Sequence, residues 1–254
     1  MMLAARRRLV SFVGLLSLGL SGCAIATSHL NISQWPVTTY AMYYRDPAPY
    51  RLAVLPLVDQ RPGQEREGQR PRGMFLLLWN RRVGDYYTGD QIFGGNVAAQ
   101  LSQQLSAYLT STHAFAEVIP IPASSAPQGS SISPADILAL RQAHMVDYVL
   151  QGQVQHFFGS QTQHTSIYLL PLYFVSTMGW QDSKTLPWGR TAIQYTLYDG
   201  RSGDIAWRQL LEADRTLPRQ TDAMSEAALQ SFVDVAGQMA SNLRTAAVEP
   251  KETP

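Results

Sequence analysis

The chain has 254 residues, with 20 Lys and Arg against 19 Asp and Glu, 45% hydrophobic residues and one cysteine. A formal charge of +1 provides no electrostatic footprint for nucleic acid. One cysteine excludes an intrachain disulfide and a multi-thiolate metal site, and the length suits one domain with insertions or one domain plus a tether.

The first stretch is basic at Arg6, Arg7 and Arg8 and then apolar from Leu9 to Leu20. About a dozen residues fit a signal h-region and fall short of the roughly 18 a membrane span needs. The stretch ends in Leu20-Ser21-Gly22-Cys23, which resembles the bacterial lipobox. The resemblance implies diacylglycerol on the Cys23 thiol, cleavage before it and acylation of the new amino group. Lipidation would also remove a lone reactive thiol from an exported chain. Two or three acyl chains anchor stably where one holds only marginally. By resemblance to enterobacterial sorting, Ala24 in place of Asp implies the outer membrane, with the domain facing the periplasm. Residues 1–22 are therefore expected to be a signal peptide, and their loss leaves 232 residues with a formal charge of −2.

Residues 23–50 read as a lipidated tether, rich in Ser, Thr, Asn, Tyr and Pro, reaching about 90 Å at most when extended. The cluster Tyr40, Tyr43, Tyr44 and Tyr50 suggests that part of it packs on the domain. The domain is expected over 51–246. Arg51–Val58 is a short apolar run with the character of a buried strand. A polar loop follows from Gln60 to Arg72, then an apolar patch at Met74–Trp79, then loop again to Gly95. Asn96 opens a helix to about Thr112, with Val97, Leu101, Leu105, Tyr108 and Leu109 on one face. Phe115–Ile121 reads as a second strand and Pro122–Ser131 as a linker. Ser133-Pro134-Ala135-Asp136 is a helix start with a cap, a proline and an acid in favourable positions.

Val146–His156 reads as a third strand, with Gln151, Gln153 and Gln155 on one face. Residues 157–189 are expected as an insertion, strongly apolar from Ser166 to Trp180. Arg190–Tyr198 and Asp204–Leu211 read as a hairpin around Asp199-Gly200-Arg201-Ser202-Gly203. The last helix runs from Thr221 to about Ala246, with a stripe from Leu229 to Leu243. Residues 247–254 are expected as a disordered tail.

The order β-α-β-α-β-β-β-α implies an α/β (α+β) fold with a single mixed sheet and helices packed on it. The early crossovers favour parallel pairing, and the short turn makes the last two strands antiparallel. With RLAVLPLVDQR, DYVLQGQV and YTLYDGRSGDIAW in these places, the chain resembles a periplasmic group. That group includes the amino-terminal domain of the TolB translocation protein, the curli-secretion channel lipoprotein, and lipoproteins that activate peptidoglycan synthases or export polysaccharide. The resemblance implies a non-enzymatic role in envelope assembly, transport or secretion, and carries no catalytic residues with it.

The sequence contains no G-x-S-x-G, H-E-x-x-H, P-loop or Rossmann fingerprint, and no cofactor or metal is expected. His156 and His164 read as surface histidines. Asp59 and Arg61, after a strand end, would bind a ligand or make a local turn and a surface ion pair. If strands one and three are parallel, both apolar segments leave the same end of the sheet. Phe75, Leu76, Trp79, Tyr168, Leu169, Tyr173, Phe174 and Trp180 would then form one patch. Such a patch is either a contact for membrane or an envelope protein, or a satellite core packed on itself and the tether. The leading expectation is a lipid-anchored binding or assembly module. A homo-oligomeric secretion or export channel subunit and a periplasmic hydrolase are the alternatives.

Overall fold

The computed structural model describes residues 30–69, 72–76, 79–127, 132–168, 180–218 and 222–248. After two 3-10 turns at Ile32–Gln34 and Val37–Tyr40, the elements begin with β1 (Ala48–Val54), β2 (Val58–Asp59), α1 (Gly63–Glu67), β3 (Arg72–Leu76) and β4 (Trp79–Tyr87). Then come α2 (Val97–Thr112), β5 (Phe115–Pro120), α3 (Pro134–His144) and β6 (Tyr148–Tyr168). The chain ends with β7 (Trp180–Lys184), β8 (Trp188–Asp199), β9 (Ile205–Thr216) and α4 (Ala223–Val248).

Strand β6 is the spine of one nine-stranded mixed sheet. Its first half pairs in parallel with β1 and β2 on one side and antiparallel with β8 on the other. Its second half carries β4 and β7, both antiparallel. The body of the sheet is thus β5-β1-β6-β8-β9, and β3-β4-β6-β7 extends from one end of it as an arm. The expected order is present as β1, α2, β5, α3, β6, β8, β9 and α4. The additional strands are where the sequence reading is corrected. Met74–Leu76 and Trp79 stand on the paired strands β3 and β4 rather than in a loop, and β4 occupies part of the stretch read as loop to Gly95. Within the stretch 157–189 expected as an insertion, β6 runs on to Tyr168 and β7 spans Trp180–Lys184.

Alternation along β1 explains the two-sided packing. Leu52 and Val54 join the larger core with the apolar faces of α2 and α4, whereas Ala53 and Leu55 join Ile137 and Leu140 of α3 on the other side. Val97, Leu101, Leu105, Tyr108 and Leu109 are all buried, as their spacing predicts. Helix α3 starts in a full capping box: Asp136 N–H donates to Ser133 Oγ, and Ser133 N–H donates to Asp136 Oδ2. Such caps stabilise by about 1 kcal/mol.

Residues 30–47 are part of this domain. Ile32 and Val37 are buried in the main core, and Gln104 Nε2 donates to the Ile32 carbonyl at 2.8 Å. Of the stretch expected as a tether over 23–50, the described part, from residue 30, packs on the domain. Two glycines let α4 lie directly on the sheet. Gly159 and Gly189 face each other across β6 and β8. A Cβ on Gly159 would stand 2.0 Å from the Met224 carbonyl oxygen, and one on Gly189 would stand 2.1 Å from the Ala228 nitrogen.

Candidate functional site

The arm gathers the two apolar segments of the sequence. Directly opposed residues of an antiparallel ladder share one face and form rows across it. The end row is Leu76-Trp79-Tyr168, and the next is Phe75-Asn80-Ile167-Trp180. Five of the eight residues singled out from sequence thus sit in two adjacent rows, from positions about 90 apart in the chain, but not in one patch: the row of Leu76, Trp79 and Tyr168 and the row of Phe75 and Trp180 lie on opposite faces of the ladder. Leu169, Tyr173 and Phe174 lie outside the described residues, as does Cys23. The following three rows each contain one arginine: Arg81 beside Met74 and Ser166, Arg82 beside Gly73 and Thr165, and Arg72 beside Val83 and His164. Asp182 is the one acidic residue in these rows. At about 3.4 Å per residue and 4.8 Å between strands, the five rows make a plate about 14 Å in each direction.

The arm is closed at its base by buried charge. Arg61 is fully covered and grips two carboxylates. Its Nε and Nη2 donate to Asp59 at 3.0 and 2.8 Å, and Nη1 lies 2.9 Å from Asp90 Oδ1. Asp59 and Arg61 stand before the arm in sequence and Asp90 after it, so the guanidinium clips together the two ends of a 29-residue excursion. Burial by itself would raise the Asp59 carboxyl, but the hydrogen bonds and charge of Arg61 outweigh it and hold it below the usual range. Burial likewise opposes the Arg61 charge, and the two carboxylates more than compensate. The local turn is present, with the Arg61 amide donating to Asp59 Oδ1 at 3.1 Å, but the ion pair is not a surface one, because the Arg61 side chain is buried and shared with Asp90.

A third carboxylate braces the same base. Helix α1 buries Glu65, which accepts from the Phe157 amide at 3.3 Å and lies 2.7 Å from His156 Nδ1. His156 is therefore not a free surface histidine. Its partner is 91 positions away, a distance no spacing rule spans. Thr88 completes the join, donating its amide to the Gly159 carbonyl at 2.9 Å while its hydroxyl accepts from the Gly159 amide at 2.7 Å. Tyr87, Phe158 and Trp188 stack edge to face beside it. Among the described residues, no three His, Cys, Asp or Glu side chains are grouped to hold a metal ion. No described helix is long and apolar enough to cross a membrane.

No protein-family model matches this sequence, and no curated protein matches it either. Solved structures of similar arrangement exist. A Xanthomonas campestris protein of the family DUF330 is 13% identical over 81% of this chain and 91% of that one, with a TM-score of 0.48. The PelC dodecamer of Paraburkholderia phytofirmans is 10% identical over 79% and 94%, at 0.39. Lipoprotein GNA1162 of Neisseria meningitidis is 14% identical over 76% and 99%, at 0.35. At these scores the likeness goes no further than a loosely shared arrangement of strands and helices.

Proposed function

We propose that this protein is a non-catalytic binding module of the bacterial envelope, lipid-anchored through Cys23 at the outer membrane, and that its arm docks on a lipid surface. The observation that carries the reading is the register of the arm. It places Leu76, Trp79 and Tyr168 in the end row and Phe75, Ile167 and Trp180 in the next, above three rows with one arginine each. Trp and Tyr collect at membrane–water interfaces, and arginine pairs with phosphate. An end of apolar and aromatic residues above a basic collar therefore fits an anionic bilayer better than a neutral one. The anchor would confine the domain to two dimensions and raise the effective concentration of the arm at its target.

Flotation with vesicles tests this. The chain lacking residues 1–22 and carrying Cys23→Ala is expected to float with vesicles containing phosphatidylglycerol, and less with phosphatidylcholine alone. Trp79→Ala with Trp180→Ala should reduce flotation at least tenfold. Equal flotation of that variant, or none by the unaltered chain, would show that the arm binds something other than lipid. Palmitate labelling that persists in a Cys23→Ser full-length chain would remove the anchor from the reading.

A further inference from the structure

The body of the sheet ends on one side in β9, which pairs with β8 and with no other strand among the described residues. It is 12 residues long and holds no proline or glycine. Free strand edges are normally shortened, broken or covered, because their unpaired amides and carbonyls can template another strand. This edge is neither short nor interrupted by proline; its register shifts only between Ile205 and Trp207, and its remaining protection is charge, at Arg208, Glu212, Asp214 and Arg215.

Its side chains are arranged symmetrically about one residue. Leu210 is 51% exposed on the face away from α4. Two positions before it on that face is Arg208, and two positions after it is Glu212. Arg208 donates to the Thr196 hydroxyl at 3.1 Å, while Glu212 lies 2.7 Å from Arg190 on the neighbouring strand. On the other face Trp207 and Ala213 are three positions either side of the same centre, both partly buried against the main core. Beside Ala213 is an open groove of about 490 Å³ between Met42, Tyr108, Val233 and Gly237.

We propose that β9 joins a second copy of this chain, antiparallel, with the two-fold axis at Leu210. In that register Leu210 meets the second copy's Leu210, and each Arg208 meets the other's Glu212. Cross-strand pairs of opposite charge and of apolar residues both stabilise a ladder. Each Trp207 falls opposite the small Ala213 of the other copy, next to the groove that Ala213 and Gly237 leave open. Moving the axis to Leu211 would put Leu210 against Glu212, and moving it to Gln209 would put Leu210 against Arg208. An axis at Leu211 would also set Arg208 against Asp214, but it would leave the exposed Leu210 against Glu212; the Leu210 axis pairs that leucine with its own copy and each Arg208 with a Glu212. The result is a self-complementary interface in which one sheet continues through both copies. It is independent of what the arm binds.

The test uses the chain without residues 1–22 and with Cys23→Ala, which has no thiol. Light scattering is expected to give twice the chain mass. Leu210→Cys should then crosslink to a dimer under mild oxidation much faster than Asp214→Cys, because opposed Cβ atoms at a two-fold lie near disulfide distance. Arg208→Glu, which replaces two attractive pairs by two repulsive ones, should weaken dimerisation at least tenfold, while Arg208→Lys retains it. A monomer at every concentration overturns the proposal. So does a dimer in which Leu210→Cys crosslinks no faster than Asp214→Cys.

Discussion

The two ends of the arm are built on opposite physics. At the base, Arg61 is fully buried between Asp59 and Asp90, and Glu65 is buried against His156 and the Phe157 amide. At the far end, the last two rows carry apolar and aromatic residues with a single Asn among them. Buried charge holds geometry because each partner is costly to leave alone, whereas an apolar end gains free energy only when something covers it. The difference separates a charged base that holds the arm in place from an end whose two rows carry no charge. It also predicts that stability and binding respond to different residues.

The largest effect is expected at the clip. Arg61→Met removes the cation from between two carboxylates and should cost about 3–5 kcal/mol, read as a lower urea midpoint. Gly159→Ala comes next. A Cβ there would press on the Met224 carbonyl at the start of α4, and overpacking of this kind costs about 1–3 kcal/mol or more. Acid should loosen the base more gradually. The folded Asp59 carboxyl titrates below its unfolded value of about 3.9, so its contribution is complete above that pH and is lost as pH falls through the folded value. Asp59→Asn should flatten the decline in thermal midpoint below about pH 4 that the unaltered protein shows. The smallest effect on stability is expected at the far end. Trp79→Ala and Trp180→Ala should move the urea midpoint by no more than about 0.5 kcal/mol equivalent while abolishing vesicle flotation. A stability loss at the end as large as that at the clip would erase the distinction between the two.

Much of the fold was legible because its signals are local. The stripes of α2 and α4, the Ser133 cap of α3 and the Asp199–Gly203 turn between β8 and β9 each sit within a few residues of what they organise. The arm was not legible as strands. Arg72–Leu76 and Trp79–Tyr87 mix arginine, glycine and asparagine without sustained alternation, and they become strands by pairing with one another and with the far half of β6. Local propensity is a weak guide where pairing decides. The second half of β6 looked like an insertion for the same reason: its partners come from two distant parts of the chain. The role of Arg61 was half visible. Asp59 is two positions away and was noticed, whereas Asp90 and the Glu65–His156 contact depend on how the arm returns to its base.

By itself, the sequence determined the class of fold, the three long helices, the final hairpin and the two apolar segments. Each of these is a matter of composition or of spacing along the chain, which chemistry reads over a few residues. Only the tertiary structure decided that those segments form adjacent rows of one arm and that Arg61 clips its base. It alone also left β9 as an edge of the sheet among the described residues. These depend on the register of strands far apart in sequence, and register is set by the packing of whole faces rather than by any short stretch.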